Sequence, residues 1–107
     1  LLFPAVTESG VFRNAQLKNI VNLTVSYYDQ GRALIYHVFK DYKPKKIALF
    51  YQNDDFGKDG LAGAKAALKE YNFTQIIELP YERNQVDFSS QAKKIKEERP
   101  DVIGFFS

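Results

Sequence analysis

Apolar positions fall into alternating rhythms along most of the chain. After Asp29, the residues Leu34, Ile35, Val38, Phe39 and Tyr42 recur at helical spacing, which gathers them into one buried stripe. A helix is predicted over about 30–42, and Pro44 stops it because proline cannot continue the hydrogen-bond ladder. Ile47-Ala48-Leu49-Phe50-Tyr51 follows as five apolar residues without polar alternation, as expected of a central strand covered on both faces in a parallel sheet. Leu61, Ala64, Leu68 and Tyr71 then line one face of a second helix. Asp59 or Gly60 can begin it, and Asn72 can stop it in a left-handed conformation.

The segment Gln75–Tyr81, with Ile76, Ile77 and Leu79, reads as a strand. Pro80 places it at the sheet edge, since proline has no N–H to donate. Asp87 is a good N-cap for a third helix with Phe88, Ala92 and Ile95 on one side and Lys93, Lys96 and Glu97 on the other. Pro100 ends that helix, and Asp101–Phe106 reads as a third, buried strand. The order αβαβαβ with short loops predicts an α/β fold: a parallel sheet in spatial order 2-1-3 with right-handed crossovers and helices on both faces. The first 28 residues break the rhythm. Leu1-Leu2-Phe3 ends at Pro4, a polar Thr7-Glu8-Ser9-Gly10 turn follows, and Leu23-Thr24-Val25 is a short extended piece, so they read as a different unit.

Length narrows this picture, because 107 residues amount to one domain or part of one. The sequence opens at Leu1 without Met and ends at Ser107 directly after the apolar run Val102–Phe106, and so reads as a piece of a longer protein. A 45% hydrophobic and 15% aromatic composition packs and does not remain disordered. Fifteen Lys and Arg stand against 13 Asp and Glu, interspersed in sign, without the basic block that nucleic acid would require. No apolar run approaches the ~18 residues of a membrane-spanning helix. The absence of Cys excludes disulfides, thiolate metal sites and cysteine nucleophiles, and leaves the compartment open. His37 is the single histidine and has no carboxylate or thiol at ligand spacing, so packing or solvent contact is expected of it. No catalytic triad can be assembled, and neither enzyme activity nor a cofactor is expected.

Chemistry is best sought in Gln52-Asn53-Asp54-Asp55-Phe56-Gly57-Lys58-Asp59-Gly60, which follows the carboxyl end of the central strand. Open α/β sheets bind ligands there, at the point where the strand order reverses. An ordinary turn would account for the Asp and Gly residues, which cap helices and permit tight geometry. Phe56 is harder to explain so: a large ring in a polar turn either fills a core gap or faces a ligand. A dinucleotide site is disfavoured because Gly57, Gly60 and Gly63 are spaced GxxGxxG, and the neighbouring aspartates repel a pyrophosphate; Glu82 stands where a ribose-binding acid would. A phosphoreceiver would hold a divalent metal at Asp54-Asp55 but needs an acid at the tip of the third strand, where Gly104-Phe105-Phe106-Ser107 has none.

With these residues in place, the sequence resembles the type I periplasmic solute-binding proteins, in particular the branched-chain amino acid group of ABC importers. The resemblance is carried by Tyr28-Asp29-Gln30-Gly31, by the run from Lys45 to Gly60, and by Ala66-Ala67-Leu68-Lys69. Tyr81-Glu82-Arg83-Asn84, Asp87-Phe88-Ser89 and Arg99-Pro100-Asp101 follow in order. It implies two α/β lobes closing on a small ligand, with residues 1–27 as the end of lobe one plus the interlobe crossover and 28–107 as the first half of lobe two. It also implies a periplasmic or other extracytoplasmic location, an amino acid or similar small carboxylate as ligand, and a membrane permease as partner. Thr7 matches the position that holds the ligand carboxylate, with Ser9 in the same turn. Phe56, beside Asp55, matches the aromatic residue, often Tyr, that covers the ligand, although Phe lacks the phenolic O–H. A ligand-sensing domain of a receptor or regulator shares this fold and is the alternative; the sequence beyond the second lobe separates the two.

Overall fold

The computed structural model describes residues 3–5, 20–22 and 25–106, the first two stretches as backbone alone. Two short strands, β1 (Phe3–Ala5) and β2 (Ile20–Asn22), pair in parallel. The expected ligand positions Thr7 and Ser9 lie outside the described residues, as do Leu23 and Thr24. The rest runs α1 (Tyr27–Asp41), β3 (Ile47–Gln52), α2 (Asp55–Glu70), β4 (Ile76–Tyr81), α3 (Ser89–Glu98) and β5 (Val102–Phe106). β3 pairs in parallel with both neighbours in the order β4-β3-β5, the 2-1-3 arrangement expected from the sequence.

Alternation along β3 explains how the sheet is covered. Ile47, Leu49 and Tyr51 join Ile35 of α1 and Leu61, Ala64, Ala67 and Leu68 of α2 in one buried cluster, and period-two geometry turns Ala48 and Phe50 to the other face. There Phe50 meets Phe88, just before α3, at a centroid distance of 6.1 Å. The two faces differ in depth. No residue of α3 is fully buried, whereas seven of α2 are. Each fully buried aliphatic side chain contributes about 1.5–3 kcal/mol, so the α1/α2 face carries most of the stability.

Each helix boundary has a local cause. Ser26, 3% exposed, accepts the Asp29 N–H at 3.0 Å and starts α1 three residues before the sequence pattern did. Asn72 stops α2 with φ of 54°, as expected. Asp87 accepts the Ser89 N–H at 2.9 Å and also the Ser89 hydroxyl, one residue before the formal N-cap Phe88, which itself makes no side-chain cap. α3 ends at Arg99, held at φ 50°, directly before Pro100.

Pro80 sits in β4 without breaking the ladder. Ile47 N–H donates to Gln75 O at 3.0 Å and Asn53 N–H donates to Tyr81 O at 2.8 Å, so the odd-numbered residues of β4 bond to β3. Pro80 therefore faces outward, where its missing N–H costs no bond, and its carbonyl accepts from Gln91 Nε2 at 2.8 Å.

α2 starts at Asp55, four residues earlier than the Asp59 expected from sequence. Glycines at 57, 60 and 63 argue locally for a turn, since each costs about 1 kcal/mol in a helix relative to Ala. Tertiary contact overrides that preference. A Cβ on Gly57 would lie 1.8 Å from Gln52 O, and one on Gly63 would lie 1.8 Å from Tyr28 O. The glycines thus let α2 press directly onto the end of β3 and the first turn of α1.

Candidate functional site

The carboxyl ends of β3, β4 and β5 meet the amino ends of α1 and α2. Asp54 is the N-cap of α2 and accepts the Gly57 N–H through Oδ1 at 3.0 Å. Its Oδ2 takes a short hydrogen bond from Gln52 Nε2 and lies 3.7 Å from the Arg83 guanidinium. Partial desolvation alone would raise its pKa. The Gly57 N–H, the Gln52 amide and the Arg83 charge outweigh desolvation and hold the carboxyl below the usual range. Asn53 Nδ2 donates to Glu82 Oε1 at 2.8 Å, which ties the loop after β3 to the loop after β4. Glu82, considered above for a ribose, is engaged in this tie.

Asp55 is exposed in the first turn of α2, where a negative charge suits the helix dipole. Phe56 follows it. The sequence offered this ring no partner, but folding supplies one: Tyr27, first residue of α1, meets Phe56 edge to face with centroids 4.5 Å apart and planes at 81°. The two rings border a hollow of about 150 Å³, lined also by Gln30, Gly60, Phe105 and Phe106. Gly104 faces Leu34 and Leu49, so alternation sets Phe106 on the same side, and Phe105 turns to the opposite face, where it meets Phe50 at 5.2 Å. Gln30 donates from Nε2 to Val25 O at 3.0 Å. Tyr27, Gln30 and Phe106 are not among the site residues expected from the sequence. The one available signal was an aromatic residue placed directly after the serine cap.

Among the described residues, two larger surface hollows lie elsewhere. One, of about 370 Å³, opens by the start of β4 between Lys46, Lys94 and Glu98, and there Glu98 pairs with Lys46 at 3.1 Å and Lys94 at 3.7 Å. The other, of about 510 Å³, runs along α2 beside Phe73 and Ile76. Neither lies at the carboxyl ends of the strands, where this architecture gathers ligand contacts. Among the described residues no three His, Cys, Asp or Glu side chains converge as a metal site would require. His37 is 73% exposed, with Nε2 3.8 Å from Asp41 Oδ2.

Comparison with known proteins gives this geometry a context. The chain is 30% identical over 103 residues to the Leu/Ile/Val-binding protein BraC3 of Rhizobium johnstonii, which covers 95% of this chain and 26% of that protein. A solved branched-chain amino acid ABC transporter protein from Thermus thermophilus with bound valine superposes with a TM-score of 0.82 at 19% identity, over 100% of this chain and 28% of that one. A fatty acid ABC transporter substrate-binding protein from Thermomonospora curvata gives 0.81 at 19% identity, over 98% and 27%. These two share the fold, and the chain spans about a quarter of the length of each relative. Matching the family over residues 1–107, the chain belongs to the periplasmic binding proteins.

Proposed function

We propose that this chain forms part of the solute-binding component of an ABC importer, which holds an amino acid or similar small carboxylate between two lobes and hands it to a membrane permease. In this reading residues 1–27 complete the first lobe and cross to the second, and residues 28–107 begin the second lobe. Thr7, Ser9, Asp55 and Phe56 contact the ligand, and the protein works in the periplasm or an equivalent extracytoplasmic space. The observation that carries the reading is the Phe56 hollow at the carboxyl ends of parallel strands. The names of the relatives add that Leu, Ile or Val, valine and a fatty acid are what those proteins bind or carry. All of these join an apolar body to a carboxylate.

No bond is made or broken in such a process. Affinity comes from burying apolar surface between the lobes and from fixed polar groups that orient the carboxylate, and closure follows from differential binding to the closed form. Calorimetric titration of the two-lobed protein carrying this chain, against the common amino acids and small carboxylates, tests the reading. One-to-one binding at about micromolar Kd or tighter is expected for at least one of them. Absence of binding across the whole panel contradicts it.

A further inference from the structure

The lining of the Phe56 hollow says more about the solute than that it is a small carboxylate. We propose that the solute is an aromatic carboxylate whose ring enters the hollow bordered by Tyr27, Phe56 and Phe106, an inference that rests on the solute-binding reading above.

Size comes first. The hollow measures about 150 Å³, and an apolar protein cavity of ~150 Å³ is known to take up benzene. The hollow therefore has room for one six-membered ring. Among the described residues, the lining of Tyr27, Gln30, Phe56, Gly60, Phe105 and Phe106 carries no charged side chain, so it suits a neutral part of the ligand. The ligand carboxylate must be held by other groups.

Shape distinguishes a ring from a branched chain. Tyr27 and Phe56 stand at 81° to each other, so a flat ring can stack on one wall while presenting its face or edge to the other. Aromatic pairs prefer these two arrangements, and each adds an affinity factor of roughly 2 to 12 beyond burial alone. A Val or Leu side chain obtains the burial without that addition. Phe106 closes the third side, lying so near α2 that a Cβ on Gly60 would come within 2.7 Å of its ring. Gln30 brings an amide to the lining, and with Nε2 directed to Val25 O its Oε1 is suited to accept a ring hydroxyl.

Titration of the two-lobed protein with L-phenylalanine, 4-hydroxybenzoate, L-leucine and L-valine tests the inference. At least one aromatic ligand is expected to bind about tenfold tighter than the better aliphatic one. Phe56→Leu, which keeps apolar bulk and removes the ring, is expected to lower aromatic affinity about fivefold and aliphatic affinity by less. If Phe56→Leu does not fold by thermal melting, Tyr27→Leu supports the same comparison. Leucine or valine binding as tightly as the aromatic ligands overturns the ring assignment and leaves solute binding intact. Failure of both aromatic ligands to bind also overturns the ring assignment, whereas the solute-binding reading falls only if the whole panel of amino acids and small carboxylates fails to bind.

Discussion

The Phe56 ring stands edge-on to the Tyr27 ring at 4.5 Å, joining the first turn of α2 to the first turn of α1 across 29 positions of sequence. Edge-to-face pairs add about 0.5–1.5 kcal/mol beyond their burial. A double-mutant cycle of Tyr27→Leu and Phe56→Leu, followed by urea denaturation, should give a coupling energy of about that size. Additive losses would show that the rings merely lie near each other.

Gly63→Ala should destabilise the fold although Ala is the better helix former by about 1 kcal/mol. The new Cβ would stand 1.8 Å from the Tyr28 carbonyl oxygen, and overpacking between backbones costs more than that propensity returns. A net loss of about 2 kcal/mol is expected by chemical denaturation. A gain in stability would mean that α1 and α2 are not packed this closely.

Asp54 governs part of the acid response. Its folded pKa lies below the unfolded one because the Gly57, Gln52 and Arg83 contacts outweigh desolvation. Its stabilising contribution is thus fully present above the unfolded value of about 3.9 and is lost as pH falls through the folded value. Asp87, held low by Ser89, and Glu98, held low by Lys46, add to the same acid-side decline. Asp54→Asn keeps a capping oxygen but loses the Arg83 charge contact and the Gln52 hydrogen bond to Oδ2, so it should lower neutral-pH stability and flatten the decline below about pH 4. A decline identical to the parent protein's would assign the acid response to other carboxylates.

α3 should exchange its amide hydrogens faster than α1 or α2. It has no fully buried residue, and shallowly packed elements open at lower free energy than the global unfolding. Hydrogen exchange followed by mass spectrometry of peptides from 89–98 and 61–70 checks this, and equal protection of the two would contradict it.

Much of the fold was legible because its signals are local. The unbroken apolar run 47–51 marked the central strand, Pro80 marked an edge strand, and Pro44 and Pro100 marked helix ends. The start of α2 was not legible, because Gly57 reads as a turn residue until the carbonyl of Gln52 is seen against it. The site was half legible for the same reason. Position after the central strand singled out Phe56, but its partner Tyr27, and Phe106 on β5, reach it only through long-range packing. Arg99 in the left-handed region left no sequence signal beyond the proline that follows it.

The proposed contact of Phe56 with the solute at the carboxyl ends of the strands can be measured by calorimetric titration of the two-lobed protein and its Phe56→Ala variant with the tightest ligand found. Loss of the ring's burial and stacking should weaken binding by about 1–3 kcal/mol in a variant that remains folded by circular dichroism. Unchanged affinity in a folded variant would assign Phe56 to packing against Tyr27 alone and would move the binding site elsewhere on the molecule.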